Sequence, residues 1–180
     1  MRAPSLYRHI TSQADLTRRN AALALTEVGE AIGAAIQGRA GRDALRAAAG
    51  ALRDFVVAHP GRYAATVNVP QVPGDAQDPV AVAAARGLDQ FRAVLRGYSI
   101  PADDEIHALR AMRSMFHGFA TLQAAGGFQY STEVDDSLEW LVALVDHGLR
   151  GMAGAQGHPF PGVALESVLP QPLVAPPPAR

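Results

Sequence analysis

The chain has 180 residues, 17 acidic and 16 basic side chains, a formal net charge of -1 and no cysteine. That length suits one domain with a proper core, while the absent cysteines exclude a disulfide framework, a thiolate metal site and a cysteine nucleophile. Near-neutral charge argues against a surface that coats nucleic acid broadly, and no apolar run or leader-like segment points to a membrane or to export, so a cytoplasmic location is expected.

The chain opens on Pro4-Ser5-Leu6-Tyr7-Arg8-His9-Ile10, followed by Thr11 and then Ser12-Gln13-Ala14-Asp15-Leu16. Proline at a first helical position, a tight turn, and a Ser cap with Asp three residues on read as a short helix leading into a second one. Arg2, Arg8, Arg18 and Arg19 against Asp15 make this end locally positive. From Ser12 to about Gln37 the spacing of Leu16, Leu23, Val28, Ile32 and Ile36 among alanines predicts one long helix. Gly38 and Gly41 punctuate it. Between Arg42 and His59 the stripe Leu45, Ala48, Leu52, Phe55, Val56 predicts a second, amphipathic helix.

His59-Pro60 ends that helix, because the residue before proline disfavours helical geometry. A short helix is expected over Arg62 to Thr66, then a loop at Pro70, Pro73, Gly74 and Asp75, then a helix from Pro79 to Leu95. Pro101 with Asp103, Asp104 and Glu105 opens a helix running to about Ala125, apolar on most sides. Gly126-Gly127 close it, and Thr132 with Asp135 and Asp136 opens a last helix ending near Arg150. The two last helices carry more apolar surface than one chain normally hides. They are expected to pair with the same two helices of a second copy in a four-helix bundle, through Leu109, Leu122, Val134, Leu138, Leu141, Val145 and Leu149. No strand-like alternation occurs, so the expected class is all-α. Seven of the 13 prolines fall after Gly151, which predicts a disordered tail over 151–180.

The opening run, of the form PSLYxH followed by S-x-x-D-L, resembles the recognition helix and the next helix of TetR-family transcriptional regulators. The segment Met112-Arg113-Ser114-Met115-Phe116-His117-Gly118-Phe119 with the Gly127-Phe128 turn is similar to the effector-binding half of the WHG-domain subgroup, with Phe116 where that subgroup has Trp. His59-Pro60-Gly61-Arg62-Tyr63 is similar to the family's P-x-x-Y turn. Together these cover residues 2–150. The resemblance implies a helix-turn-helix remnant over 1–16, a helical ligand-binding and dimerisation domain over 17–150, and about two further helices upstream of Met1 that complete the DNA-reading domain. A misassigned start would place roughly 30 to 40 helical residues there; the rival is a ligand-binding dimer that has lost autonomous DNA binding.

On this reading Ser5, Tyr7, Arg8 and His9 contact operator DNA, with Tyr7 and His9 suited to phosphate and Ser5 and Arg8 able to reach base edges. Gln13 stands where the family often has a phosphate-reaching Lys. The expected effector pocket draws on Phe55, His59, Tyr63, Phe91, Leu95, Met112, Met115, Phe116 and Phe119, a mostly apolar set suited to a small hydrophobic effector. His117 and Arg113 are its polar candidates. Asp103 or Asp104 with His107 has metal-like spacing, but acidic first turns are common and no metal site is expected. No HExxH, phosphate loop or serine elbow is present, so neither a cofactor nor catalysis is expected. The expectation is a homodimeric repressor that leaves its operator when a small apolar effector binds.

Overall fold

A computed structural model of the chain describes residues 12–69 and 77–154. Within them the fold is all-helical: α1 (Gln13–Ile36), α2 (Gly41–Ala58), α3 (Pro60–Asn68), α4 (Pro79–Leu95), α5 (Glu105–Ala124) and α6 (Val134–Gly154). The segment bearing Ser5, Tyr7, Arg8 and His9, the loop at Pro70 and Pro73, and the proline-rich tail lie outside the described residues.

Local chemistry sets each boundary. The Ser12 hydroxyl accepts from the Asp15 amide at 3.1 Å, capping α1, while Asp15 in the first turn complements the helix dipole. Gly38, at φ +72°, provides the left-handed residue beyond the α1 C-cap, a conformation that costs other residues a Cβ clash. His59 closes α2 and opens α3, with its amide donating to Phe55 O at 2.9 Å and its carbonyl accepting from Tyr63 N at 3.0 Å. Pro60 fits the first turn of α3, where its missing N–H leaves no bond unmade. This helix is longer at both ends than the expected Arg62 to Thr66. A short 3-10 turn over Ala102–Asp104 precedes α5, so the acidic residues after Pro101 form a separate turn leading into the helix.

All five other helices pack against α2. It buries Ala44, Leu45, Ala48, Ala49, Leu52 and Val56, an arc of small and large residues that lets neighbours approach on several sides. The main core joins these to Val28, Ile32 and Ile36 of α1, Val94 and Leu95 of α4, Leu109, Met112 and Phe116 of α5, and Leu138, Val142, Val145 and Leu149 of α6. Completely burying one such large side chain contributes about 1.5–3 kcal/mol. A smaller cluster of Ala21, Val69 and Val80, flanked by Ala22, Leu25 and Ala65, ties the N-terminal half of α1 to α3 and α4. Leu23, expected in the buried stripe of α1, is 52% exposed.

At the opposite end the turn after α4 presses on the start of α2. A Cβ on Gly97 would lie 2.6 Å from the Gly41 backbone nitrogen, so only glycine fits there. Tyr98 donates to Asp146 Oδ1 at 2.7 Å, and Arg150 Nε donates to the same carboxylate at 3.0 and 3.1 Å. Burial raises the Asp146 pKa, but the hydrogen bonds from Arg150 and Tyr98 outweigh it and leave the carboxyl below its ordinary value. This network fastens the C-terminal half of α6 to the turn after α4.

Candidate functional site

Two successive residues of α3 reach different helices. Arg62 Nη1 donates to Glu27 Oε2 of α1 at 2.7 Å, and the Tyr63 hydroxyl lies 3.0 Å from His117 Nδ1 of α5. The Tyr63 and His117 rings are tilted, with centroids 5.5 Å apart. Tyr63 is 8% exposed and belongs to the main core, so its apolar body is packed while its hydroxyl finds a partner. Burial raises its pKa and keeps the phenol protonated. Burial, and then the charge of Arg113, lowers the His117 pKa, so the imidazole is neutral at neutral pH. The neutral pair can share one hydrogen bond whichever tautomer His117 takes.

A second tie fixes the N-terminal end of α1. Arg18 Nη2 donates to Asp78 Oδ1 at 2.5 Å, and the same carboxylate caps α4 by accepting from the Val80 amide at 3.2 Å. Asp78 is only 3% exposed. The hydrogen bond from Arg18 holds its carboxyl below the usual value against the opposing effect of burial, with the Val80 amide adding to the lowering. Asp78 before Pro79 carries a helix-start signature that marks the cap in sequence. Its partner sixty positions away has no such mark.

The residues expected to line an effector pocket divide into three groups. Leu95, Met112, Phe116 and Tyr63 are buried in the main core, and Phe55, Phe91 and Phe119 are partly buried against it. Phe55 and His59 meet edge to face at 5.3 Å, with His59 exposed. Met115 of α5 is 40% exposed. The side chains are thus brought together as a packed cluster with a polar edge at Tyr63 and His117. Two open clefts run along α1 instead. One of about 400 Å³ lies between α1 and α4 beside Leu25, Gly29, Gly33 and Gln90; one of about 250 Å³ lies between α1 and α3 beside Leu23, Glu27 and Arg62.

The expected pairing surface also divides. Leu109, Leu138, Val145 and Leu149 are at most 7% exposed within the chain itself, so these four have no surface to offer a second copy. The reason is that α2 packs against both α5 and α6 and joins these side chains to the main core. Val134 and Leu141 are half-buried, while Leu122 is 54% exposed. Uncovered apolar residues on α5, α6 and the turn between them include Ile106, Met115, Leu122, Phe128, Trp140 and Leu144. Among the described residues no group of three or more His, Asp or Glu side chains is placed to hold a metal ion. No described helix is long and apolar enough to cross a membrane.

Comparison with known proteins agrees with this architecture. Residues 45–145 match the family described as the tetracyclin repressor-like C-terminal domain. The uncharacterized HTH-type transcriptional regulator Rv0681 of Mycobacterium tuberculosis is 33% identical over 156 residues, 86% of this chain and 67% of that protein. The uncharacterized HTH-type transcriptional regulator YobS of Bacillus subtilis is 29% identical over 151 residues, 83% of this chain and 76% of that one. A solved structure of a protein of unknown function from Rhodococcus sp. RHA1 shares the fold, with a TM-score of 0.67 at 24% identity over 79% of this chain and 75% of that one. With its family-matching span centred on α2 to α6 and a regulator of similar sequence over most of its length, the chain belongs to the TetR family of transcriptional regulators.

Proposed function

We propose that the protein is a ligand-responsive repressor that works as a homodimer and releases its operator when a small apolar effector enters the helical half. The observation that carries this reading is α3. Its adjacent residues Arg62 and Tyr63 join α1 on one side and α5 on the other, so an effector that parts Tyr63 from His117 also moves the ion pair holding α1. Motion of α1 would pass directly into the Pro4–Ile10 segment, which carries Ser5, Tyr7, Arg8 and His9 as the proposed DNA contacts. Operator half-sites are separated by about 34 to 36 Å or a multiple, so a small tilt in each copy abolishes simultaneous docking.

The dimer surface in this reading is the outer face of α5 and α6, with Trp140, Leu144, Leu122 and Met115 as its apolar centre. Aromatic side chains dominate such interfaces. Analytical ultracentrifugation should show a dimer for the native chain and a monomer for Trp140→Glu. Because Trp140 is 69% exposed, circular dichroism should show the monomer still helical. A native monomer at tens of micromolar would overturn the dimer.

The decisive test is a gel shift with the gene's own upstream region, first for this chain and then for the product of an extended reading frame. Retention that is lost on adding apolar compounds supports the reading. Binding unchanged across a broad panel of compounds with apolar bodies, charged and uncharged, refutes the effector response. Failure of both proteins to retain the DNA favours the rival, a ligand-binding dimer without DNA recognition.

A further inference from the structure

The helices that meet at Tyr63 and His117 are unusual in charge. Throughout α3, and in α5 beyond its first residue Glu105, there is no aspartate or glutamate, although the same stretches carry Arg62, Arg110 and Arg113. The chain as a whole carries a net charge of only -1, so this seam is locally basic on a nearly neutral molecule. Glu105 is engaged by Arg92 at 2.9 Å and Glu27 by Arg62, which leaves the centre of the seam without a neutralising carboxylate among those pairs. Arg113 stands one helical turn before His117 on α5, a separation that puts the two side chains on one face. Its charge bears on both Tyr63 and His117, and none of the ion pairs or hydrogen bonds found among the described residues uses its guanidinium. Beside these polar groups lies the apolar cluster of Tyr63, Phe55, Met112 and Phe116.

We propose that the effector is an amphipathic organic anion, its acid group received at the α3–α5 seam by Arg113, Tyr63 and His117 and its apolar body inserted into the packed cluster around Phe55, Met112 and Phe116, whose side chains part to admit it. Arg113 supplies a planar, permanently charged donor matched to a carboxylate. The Tyr63 hydroxyl and an imidazole N–H supply two further donors once their mutual hydrogen bond opens. A cationic effector would meet only like charge here, and an uncharged one would gain nothing from the charge of the guanidinium. The inference rests on reading the helical half as an effector-binding domain and adds the chemical class of the ligand.

The test uses three probes of matched shape, 4-phenylbutanoate, 4-phenylbutan-1-ol and 4-phenylbutylamine, titrated calorimetrically into the native chain at pH 7. The acid should bind at least about tenfold more tightly than the alcohol, the difference expected of a charge-assisted contact, and the amine most weakly. Arg113→Gln should bring acid and alcohol to within about threefold of each other while Arg113→Lys keeps most of the preference. The His117 imidazole resonances should shift with the acid in the native chain. Arg113 is exposed, so an unchanged Tm identifies variants that are properly folded. Equal or tighter binding of the alcohol or amine overturns the anionic class and leaves the effector domain standing. An acid preference untouched by Arg113→Gln overturns the assignment of Arg113, and failure of all three probes at millimolar concentration overturns the proposal together with the reading beneath it.

Discussion

The two halves of α1 are held by different physics. Its C-terminal half places Val28, Ile32 and Ile36 in the main core, packed against α2 and α4. Toward its N-terminus it buries only Ala21 and Ala24 completely and leans on the thin cluster of Val69 and Val80, with the ion pair Arg18–Asp78 on this stretch and Arg62–Glu27 at its border with the anchored half. Dispersion and apolar burial give the first half depth but no adjustability, since a packed core resists small displacements. Ion pairs near a surface are weaker, yet they break and reform over short distances. A helix anchored at one end and tethered at the other is suited to pivoting.

The comparison is most easily broken by truncation inside the core. Ile32 is 2% exposed, and Ile32→Ala should cost about 2–5 kcal/mol in urea melts, through lost burial and the cavity left behind. Ala21→Gly, at a position equally buried in the tethered half, should cost about 1 kcal/mol, chiefly helix propensity. Amide exchange should follow the same gradient, slow around Ile32 and faster toward Gln13. Equal protection along the whole of α1 would remove the distinction between anchor and tether.

A smaller effect is expected at Asp78, and it carries a pH signature. Its carboxyl titrates below its ordinary value because Arg18 and the Val80 amide stabilise the charged form. The stabilisation is therefore complete above the unfolded carboxyl's value of about 4 and is lost as pH falls through the lower folded value. Asp78→Asn keeps a good helix cap but removes the charge. It should be less stable than the native chain at pH 7, and the gap should close on acidification below about pH 4. A gap independent of pH would mean that the cap, and not the pair with Arg18, holds the tether.

The helices themselves were legible in sequence because proline, glycine and capping residues punctuate them: Ser12 before α1, His59-Pro60 between α2 and α3, and Pro79 at the start of α4. Which half of an apolar helix faces inward was not. On α6 both Val145 and Trp140 lie on the hydrophobic arc, and only the placement of α2 decides that Val145 is 7% and Trp140 69% exposed. The polar edge was legible in part. His117 and Arg113 are legible as polar groups beside Met112, Met115 and Phe116, but the contact of His117 with Tyr63 spans fifty-four positions and depends on where α3 docks. Asp146 looked like any surface acid four residues before an arginine, and its bond to Tyr98 follows from the close turn at Gly97.

The smallest effect belongs to Arg62 and Glu27, whose side chains are 53% and 30% exposed. A double-mutant cycle with Arg62→Ala and Glu27→Ala should give a coupling of about 0.2–1 kcal/mol in stability, shrinking as salt screens the pair. That small number is the reason the pair suits a relay: a contact worth more would pin α1, and one worth nothing would leave α3 free to move without it. Exchange of the first turns of α1 should therefore respond to a ligand at Tyr63 and His117 in the native chain and lose that response when the pair is broken, even though the fold is barely weakened. If the response persists in both single variants, the motion of α1 is driven through α4 and Asp78 instead, and α3 is a bystander.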